Sequence, residues 1–379
     1  MFNLQMVDLK RQYAKIKTEV DAAIQNVLDT TAFIGGPDVQ EFGKELAQYL
    51  GVKHVIPCAN GTDALQIALM ALDLKPGDEV ITTSFTYIAT VEVVALLRLK
   101  PVFVDVDADT FTMNIDALRK AITPNTKAII PVHLYGQAAN MEPVLAIAKE
   151  HNIPVIEDNA QAIGGSYTFS DGTKKKTGTM GLMGTTSFFP SKNLGCYGDG
   201  GAMFTNDDAL AEKLKMIANH GQKVRYYHEM VGCNSRLDSI QAAVLRIKLK
   251  HLDEYCDARR AVADYYDNAF AGNEHLITPH RPAYSHHVFH QYTLQVKGIN
   301  RDALATALTE RKIPNMLYYP VPCHKQNMLK EFGGADFVLP VTDMLQDCVI
   351  SLPIHTELTE PELKHITTNV LEAIAQLAK

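Results

Sequence analysis

From position 52 to 219 the chain alternates short apolar runs with stretches whose apolar residues recur at helical spacing. That alternation constrains the fold more than any other feature. Runs at 52–57, 79–83, 101–106, 128–132, 155–158, 185–189 and 202–205 predict strands, and segments 62–72, 88–97, 115–122, 141–151 and 207–219 predict helices. An uninterrupted run such as Pro154-Val155-Ile156 suits a strand buried on both faces. The fold class that follows is α/β, a mostly parallel sheet flanked by helices. Open sheets of this kind bind ligands beyond the C-terminal ends of their strands. Residues just after the strands are therefore the ones to read for chemistry.

An amphipathic helix over 12–28 and a turn at Ile34-Gly-Gly-Pro37 precede the alternation. After it, 220–234 is polar and aromatic and reads as a mobile loop that covers substrate. One long helix is predicted over 237–270, with its charges on a solvated face. From about 272 the pattern shifts to elements at 291–296, 301–311, 315–319, 349–353 and 360–377, which suggests a smaller α/β unit. The division predicted is a large domain over 1–250, including the N-terminal helix, and an interdomain helix with a small C-terminal domain over 251–379.

Composition narrows the function classes. The chain has 379 residues, is 46% hydrophobic and 21% charged, and carries a net charge of −7, so no basic surplus favours nucleic acid. The run Lys174-Lys-Lys176 reads as a solvated loop. Six cysteines contain no Cys-x-x-Cys pair, and the scattered histidines fit no zinc spacing, so no metal is expected. Without a signal-like start or a span-length apolar stretch, the cytoplasm is the expected compartment.

The richest stretch is Ser187-Phe-Phe-Pro-Ser-Lys192-Asn-Leu-Gly-Cys-Tyr-Gly-Asp-Gly-Gly201. A Schiff-base lysine must meet an aldehyde, lose a proton near neutral pH and move between two carbons, and glycines let the backbone approach a bulky cofactor. Upstream, Asp158 ends a buried run, where a carboxylate can face a pyridine nitrogen, and Gln161 follows three positions later. At Gly61-Thr62 a strand gives way to a helix whose N-terminus is a natural phosphate seat. Neither a nucleoside-triphosphate loop nor a G-x-G-x-x-G fingerprint occurs there, which argues against a nicotinamide dehydrogenase.

Taken in order, Gly61-Thr-Asp-Ala-Leu, Thr83-Ser-Phe-Thr-Tyr87-Ile-Ala-Thr90, Glu157-Asp-Asn-Ala-Gln161, Ser187-Phe-Phe-Pro-Ser-Lys192 and Gly198-Asp-Gly-Gly-Ala202 resemble the DegT/DnrJ/EryC1/StrS sugar-nucleotide aminotransferases. These are fold-type I enzymes dependent on pyridoxal 5'-phosphate. The likeness extends through Val231-Gly-Cys-Asn234-Ser-Arg236-Leu-Asp238 and Tyr318-Tyr319-Pro-Val-Pro-Cys-His324.

The resemblance implies that Lys192 links to the cofactor and shuttles protons. It implies that Asp158 partners the pyridinium, that Gln161 touches the phenolic oxygen, and that Gly61, Thr62 and Ser187 hold the phosphate. Tyr87 falls at the family's ring-stacking position. Asn234 matches a residue that reaches the phosphate of the neighbouring subunit, which implies a homodimer with shared sites. The activity implied is transfer of an amino group from an amino acid, usually glutamate, to a keto-sugar nucleotide.

Within the family, the Ser187–Ala202 stretch and Asn234–Asp238 are most like the branch acting on UDP-2-acetamido-2-deoxy-3-oxo-glucuronate. Arg236 suits the uronate carboxylate, because its planar fork makes bidentate contacts, and pairing with Asp238 or a phosphate is the alternative. Tyr318, Tyr319 and His324 are expected on the sugar side. Where the branch has His-Tyr-Pro this chain has Tyr318-Tyr319-Pro320, which leaves open a 4-keto sugar or a 3-keto sugar without the acid. A non-catalytic regulatory protein on this scaffold would be expected to have lost Lys192 or Asp158, and both are present.

Overall fold

Helix α1 (Leu9–Thr30) begins where the Asp8 carboxylate accepts from the Arg11 N–H at 2.9 Å. Helix α2 (Pro37–Leu50) follows, with Pro37 in its first turn, where a missing N–H costs nothing. The computed structural model describes residues 2–379. In chain order there follow β1 (His54–Cys58), α3 (Gly61–Ala71), β2 (Glu79–Thr83), α4 (Ala89–Leu96), β3 (Lys100–Val104), α5 (Ile115–Ala121), β4 (Thr126–Ile130), α6 (Met141–Glu150) and β5 (Ile156–Asp158). The strands β6 (Ser166–Thr168), β7 (Lys174–Lys176), β8 (Met183–Ser187) and β9 (Gly201–Thr205) lead to α7 (Asp208–Ala218) and the hairpin β10 (Gln222–Val224) and β11 (Tyr227–His228). The rest comprises α8 (Ser239–Leu249), α9 (Leu252–Phe270), β12 (Leu276–Ile277), β13 (Ser285–His286), β14 (Tyr292–Val296), α10 (Arg301–Glu310), α11 (Pro340–Cys348), β15 (Val349–Leu352) and α12 (Glu360–Leu377).

The central sheet runs β3-β2-β4-β5-β8-β9-β1. Strands β3, β2 and β4 pair in parallel, parallel bridges Ile129–Val155 and Val132–Asp158 join β4 to β5, and β5 pairs in parallel with β8. Only β9 runs against its neighbours β8 and β1. Successive residues of a strand face opposite sides. Val80, Ile130 and Met203 accordingly enter one core with Leu65 and Leu214, whereas Ile81 and Ile129 pack with Val144, and Phe204 packs with Phe42 and Leu245. Both faces are covered, which is why these strands read as continuous apolar runs.

The C-terminal elements build an antiparallel sheet β12-β14-β15, with Leu294 and Ile350 packed against Tyr266, Leu304 and Ile366 of the surrounding helices. Asp105, just after β3, ties this part to the main sheet. Its carboxylate accepts from Val341 N and Thr342 N at 2.9 Å each and from Thr342 Oγ1 at 2.7 Å, so it caps α11.

Several expectations are corrected. The helix over 237–270 is two helices, because the chain departs from helical geometry at His251 while burying both Leu249 and Leu252. Its charges are not all solvated: Lys248 and Arg259 are 1% and 3% exposed. Arg259 survives burial because its guanidinium donates to the carbonyls of Phe289, His290 and Ile354. Lys174–Lys176 is a strand paired with β6, not a loop. The 220–234 segment contains the β10–β11 hairpin, and 315–319 contributes a single bridge, Met316–Ser351. All six cysteines are free thiols, and among the described residues no helix is long and apolar enough to cross a membrane.

Candidate active site

The proposed site gathers where β5 and β8 end and α3 begins. Asn60 caps α3, its side chain accepting from Asp63 N at 2.8 Å and its carbonyl from Ala64 N at 3.1 Å. Among the described residues the Gly61 and Thr62 N–H groups donate to no protein acceptor. They are the orphan donors of a helix start, with the positive end of the helix dipole behind them. Ser187, the last residue of β8, stands against this turn. A Cβ at Gly61 would lie 2.7 Å from the Ser187 Cβ, so only glycine permits the approach. The three residues expected to hold a phosphate thus form one cradle.

Asp158 ends β5 and is buried. Oδ2 accepts from Thr90 Oγ1 at 2.7 Å and Oδ1 from Ala160 N at 3.1 Å, which fixes the carboxylate's orientation. The neighbouring Glu157 points to the opposite side. It accepts from Gly178 N, Met180 N and Gly181 N at 2.8, 2.5 and 2.6 Å and faces His133 Nε2 at 2.8 Å. His133 Nδ1 accepts from Ala139 N, which sets the tautomer that donates to Glu157. This nest clamps the strand that carries Asp158.

Lys192 lies in the tight connection from β8 to β9. Its N–H donates to the Phe189 carbonyl at 2.8 Å, and Asn193 Nδ2 donates to the Val288 carbonyl at 2.9 Å. A Cβ at Gly195 would meet the Pro190 carbonyl at 2.4 Å, so this glycine serves the turn's own folding and not only access for a cofactor. The amine is enclosed, and burial lowers its pKa to about 8, more than the attraction of Asp158 raises it. Such a lysine supplies free base near neutral pH.

Gln161 is committed to two neighbours. Its Oε1 accepts from Tyr135 N at 2.8 Å, and its Nε2 donates to the Tyr319 hydroxyl at 2.9 Å. Tyr87 is exposed, its ring centroid 6.2 Å from that of Tyr319. Tyr318 is half-buried, and its carbonyl accepts from the Tyr135 hydroxyl. Asn234 and Arg236 are exposed, and among the described residues Arg236 makes no ion pair, with Asp238 or otherwise. Ser235 between them turns inward and accepts from Ala59 N at 3.1 Å, next to the cradle.

His324, expected on the sugar side, is placed on the inner side of its segment. It is 3% exposed, its Nδ1 lies 2.7 Å from Ser84 Oγ, its Nε2 lies 3.5 Å from Asp343, and its ring packs near Phe103. It supports the 318–324 segment from behind. Thr90 and Ser84 escape a reading for chemistry, although both fall inside the Thr83–Thr90 motif. Tyr135 and His133 carry no local signal at all.

A model of the DegT/DnrJ/EryC1/StrS aminotransferase family matches residues 14–371. The chain belongs to this family. A Geobacillus stearothermophilus protein described as a pleiotropic regulatory protein is 44% identical, over 98% of this chain and 98% of its own. The UDP-2-acetamido-2-deoxy-3-oxo-D-glucuronate aminotransferase of Pseudomonas aeruginosa is 47% identical, over 96% of this chain and 98% of its own. The UDP-N-acetyl-3-dehydro-alpha-D-glucosamine 3-aminotransferase of Acidithiobacillus ferrooxidans is 45% identical, over 96% of each. Among solved structures, a family aminotransferase from Brucella abortus superposes with a TM-score of 0.92 at 41% identity, each chain covered fully. NtdA from Bacillus subtilis, with bound cofactor PMP, superposes with a TM-score of 0.88 at 30% identity, over 98% of this chain and 83% of that one. The fold is therefore that of the pyridoxal-phosphate aminotransferases of fold type I.

Proposed function

We propose that this aminotransferase moves an amino group from an amino acid, glutamate in expectation, onto a UDP-linked 3-keto N-acetyl sugar or its uronate. The single observation that carries the reading is the convergence of a lysine whose pKa is lowered to about 8, an oriented buried carboxylate and a cradle of unfilled N–H donors. The residues fit pyridoxal phosphate. The N–H groups of Gly61 and Thr62 with the Ser187 hydroxyl would receive a phosphate, and Asp158 would hold a proton on the pyridine nitrogen. When bound, the cofactor supplies an aldehyde for amine exchange and a ring that draws electrons from the carbon losing its proton.

Lys192 does the rest. Its Nζ, once free, would serve as the base that takes the proton from the donor's α-carbon and as the acid that gives one back, and the same group would act in the reverse sense for the sugar. A pKa of about 8 suits both directions, because neither protonation state is costly to reach. Thr90 donates to Asp158 and would keep its carboxylate aimed at the ring nitrogen. Tyr87 would stack on the ring.

A homodimer is part of the proposal. Phe33, Ile34, Val224, Tyr226, Tyr227 and Val231 are all exposed, and Ile34 bridges to Asp238, close in sequence to Asn234 and Arg236. An apolar surface of that kind on a soluble enzyme calls for a covering partner. A second copy would bring Asn234 to the neighbour's cradle, and the exposed Arg236 to a sugar carboxylate. The division into domains at residue 250 and a cytoplasmic setting are proposed with it.

The test is product mass from glutamate with UDP-linked 3-keto and 4-keto sugars, each with and without a C6 carboxylate. Product from the 3-keto sugars supports the reading, and preference for the uronate makes Arg236 its clamp. Product from 4-keto sugars alone would overturn the substrate assignment and leave the amine chemistry standing.

A further inference from the structure

The side chain expected to touch the cofactor's phenolic oxygen, Gln161, is held at both ends and keeps one further amide N–H. Its carbonyl holds the Tyr135 N–H and its amide donates to the Tyr319 hydroxyl. A hydroxyl that accepts one hydrogen bond still has its own proton to give. Tyr319 is well placed to give it. Its ring meets Tyr87, Phe85 and Tyr318 at centroid distances of 6.2, 6.4 and 5.8 Å, and it feels the charge of Asp158. No acceptor among the described residues takes that proton. Burial pushes the phenol's pKa well up, against the lowering effect of Gln161, so the hydroxyl stays a donor across the working range.

We propose that Tyr319 is a cofactor-tuning residue whose O–H donates to the phenolic oxygen of the bound cofactor, with Gln161 as the positioning residue that aims it. This departs from a role for Tyr319 on the sugar, and it rests on the reading of the site as a pyridoxal-phosphate site. Donation to a phenolate stabilises the unprotonated lysine–cofactor linkage and so lowers the pKa of that linkage. The neutral nitrogen then becomes protonated only at lower pH, and the colour change of the loaded enzyme reports that step directly.

The experiment titrates the visible absorbance of the cofactor-loaded enzyme against pH for wild type, Tyr319→Phe and Gln161→Ala. Phenylalanine keeps the ring packing, so the variant is expected to fold, and its thermal midpoint is recorded alongside. The inference predicts that Tyr319→Phe raises the linkage pKa by about one unit, a tenfold change in proton binding. Gln161→Ala should shift it in the same direction, and the double variant should add little to the larger single shift, because the two act as a unit. An unchanged pKa in Tyr319→Phe overturns the inference, and a raised KM for the sugar nucleotide in that variant would return the hydroxyl to the substrate. Failure of the wider reading looks different: no absorbance that depends on Lys192 would appear in wild type at all.

Discussion

At the residue scale, the account turns on one amine. With a pKa of about 8 in place of the ordinary 10.5, Lys192 is about a tenth unprotonated at pH 7. Uptake of pyridoxal phosphate by the cofactor-free protein should therefore speed up with pH and level off with a midpoint near 8, followed by stopped-flow absorbance. A midpoint at 10 or above would mean that the amine is not enclosed. Asp158→Asn keeps the hydrogen bond from Thr90 but removes the charge that holds a proton on the ring, and kcat should fall by roughly 10²-fold or more with binding of the sugar little changed. As candidates, Lys192, Asp158, Gly61 and Ser187 were legible in the sequence because each sits in a short motif at or shortly after a strand end. Thr90, Tyr135 and the commitment of Gln161 to Tyr319 were not. They depend on chain segments 68, 26 and 158 positions apart meeting in space, and no local pattern encodes that.

At the scale of elements, the strand that carries Asp158 is fixed by the Glu157 nest. Replacing a carboxylate that takes three backbone N–H groups and His133 leaves buried donors facing an amide. Glu157→Gln should cost about 3 kcal/mol in chemical denaturation. A change below about 1 kcal/mol would mean that the loop 178–181 re-forms without it. The strands of the main sheet were readable from the sequence because both faces of the sheet are covered and most strands carry a short apolar core, such as Val80-Ile81 or Ala128-Ile129-Ile130. The break between α8 and α9 was not, since Lys250 and His251 have no glycine or proline to mark it. The capping of α11 by Asp105 was equally silent, because its carboxylate reaches a helix 236 positions away.

At the scale of the whole molecule, buried imidazoles set the acid limit. Burial holds His355 at about 4, and His287 and His290 are also held well below the ordinary value, the latter helped by the charges of Lys192 and Arg259. As pH falls through 6.5 the unfolded chain binds these protons first, so stability present above 6.5 is lost progressively toward the lowered folded values, by about 3 kcal/mol for His355 between 6.5 and 4. Unfolding midpoints measured from pH 7 to 4 check this. The shared-site dimer makes a further prediction. Lys192→Ala and Asn234→Ala, each inactive alone, should recover about a quarter of wild-type activity when subunits are mixed and exchanged, because half of the dimers then hold one intact site. No recovery would put Asn234 in the same subunit's site. The most direct test of the central claim is to reduce the cofactor-loaded enzyme with borohydride and map the modified peptide by mass. The account predicts the cofactor's mass on Lys192 and on no other lysine, the buried Lys248 included. Its presence on another residue, or its absence, would contradict the account.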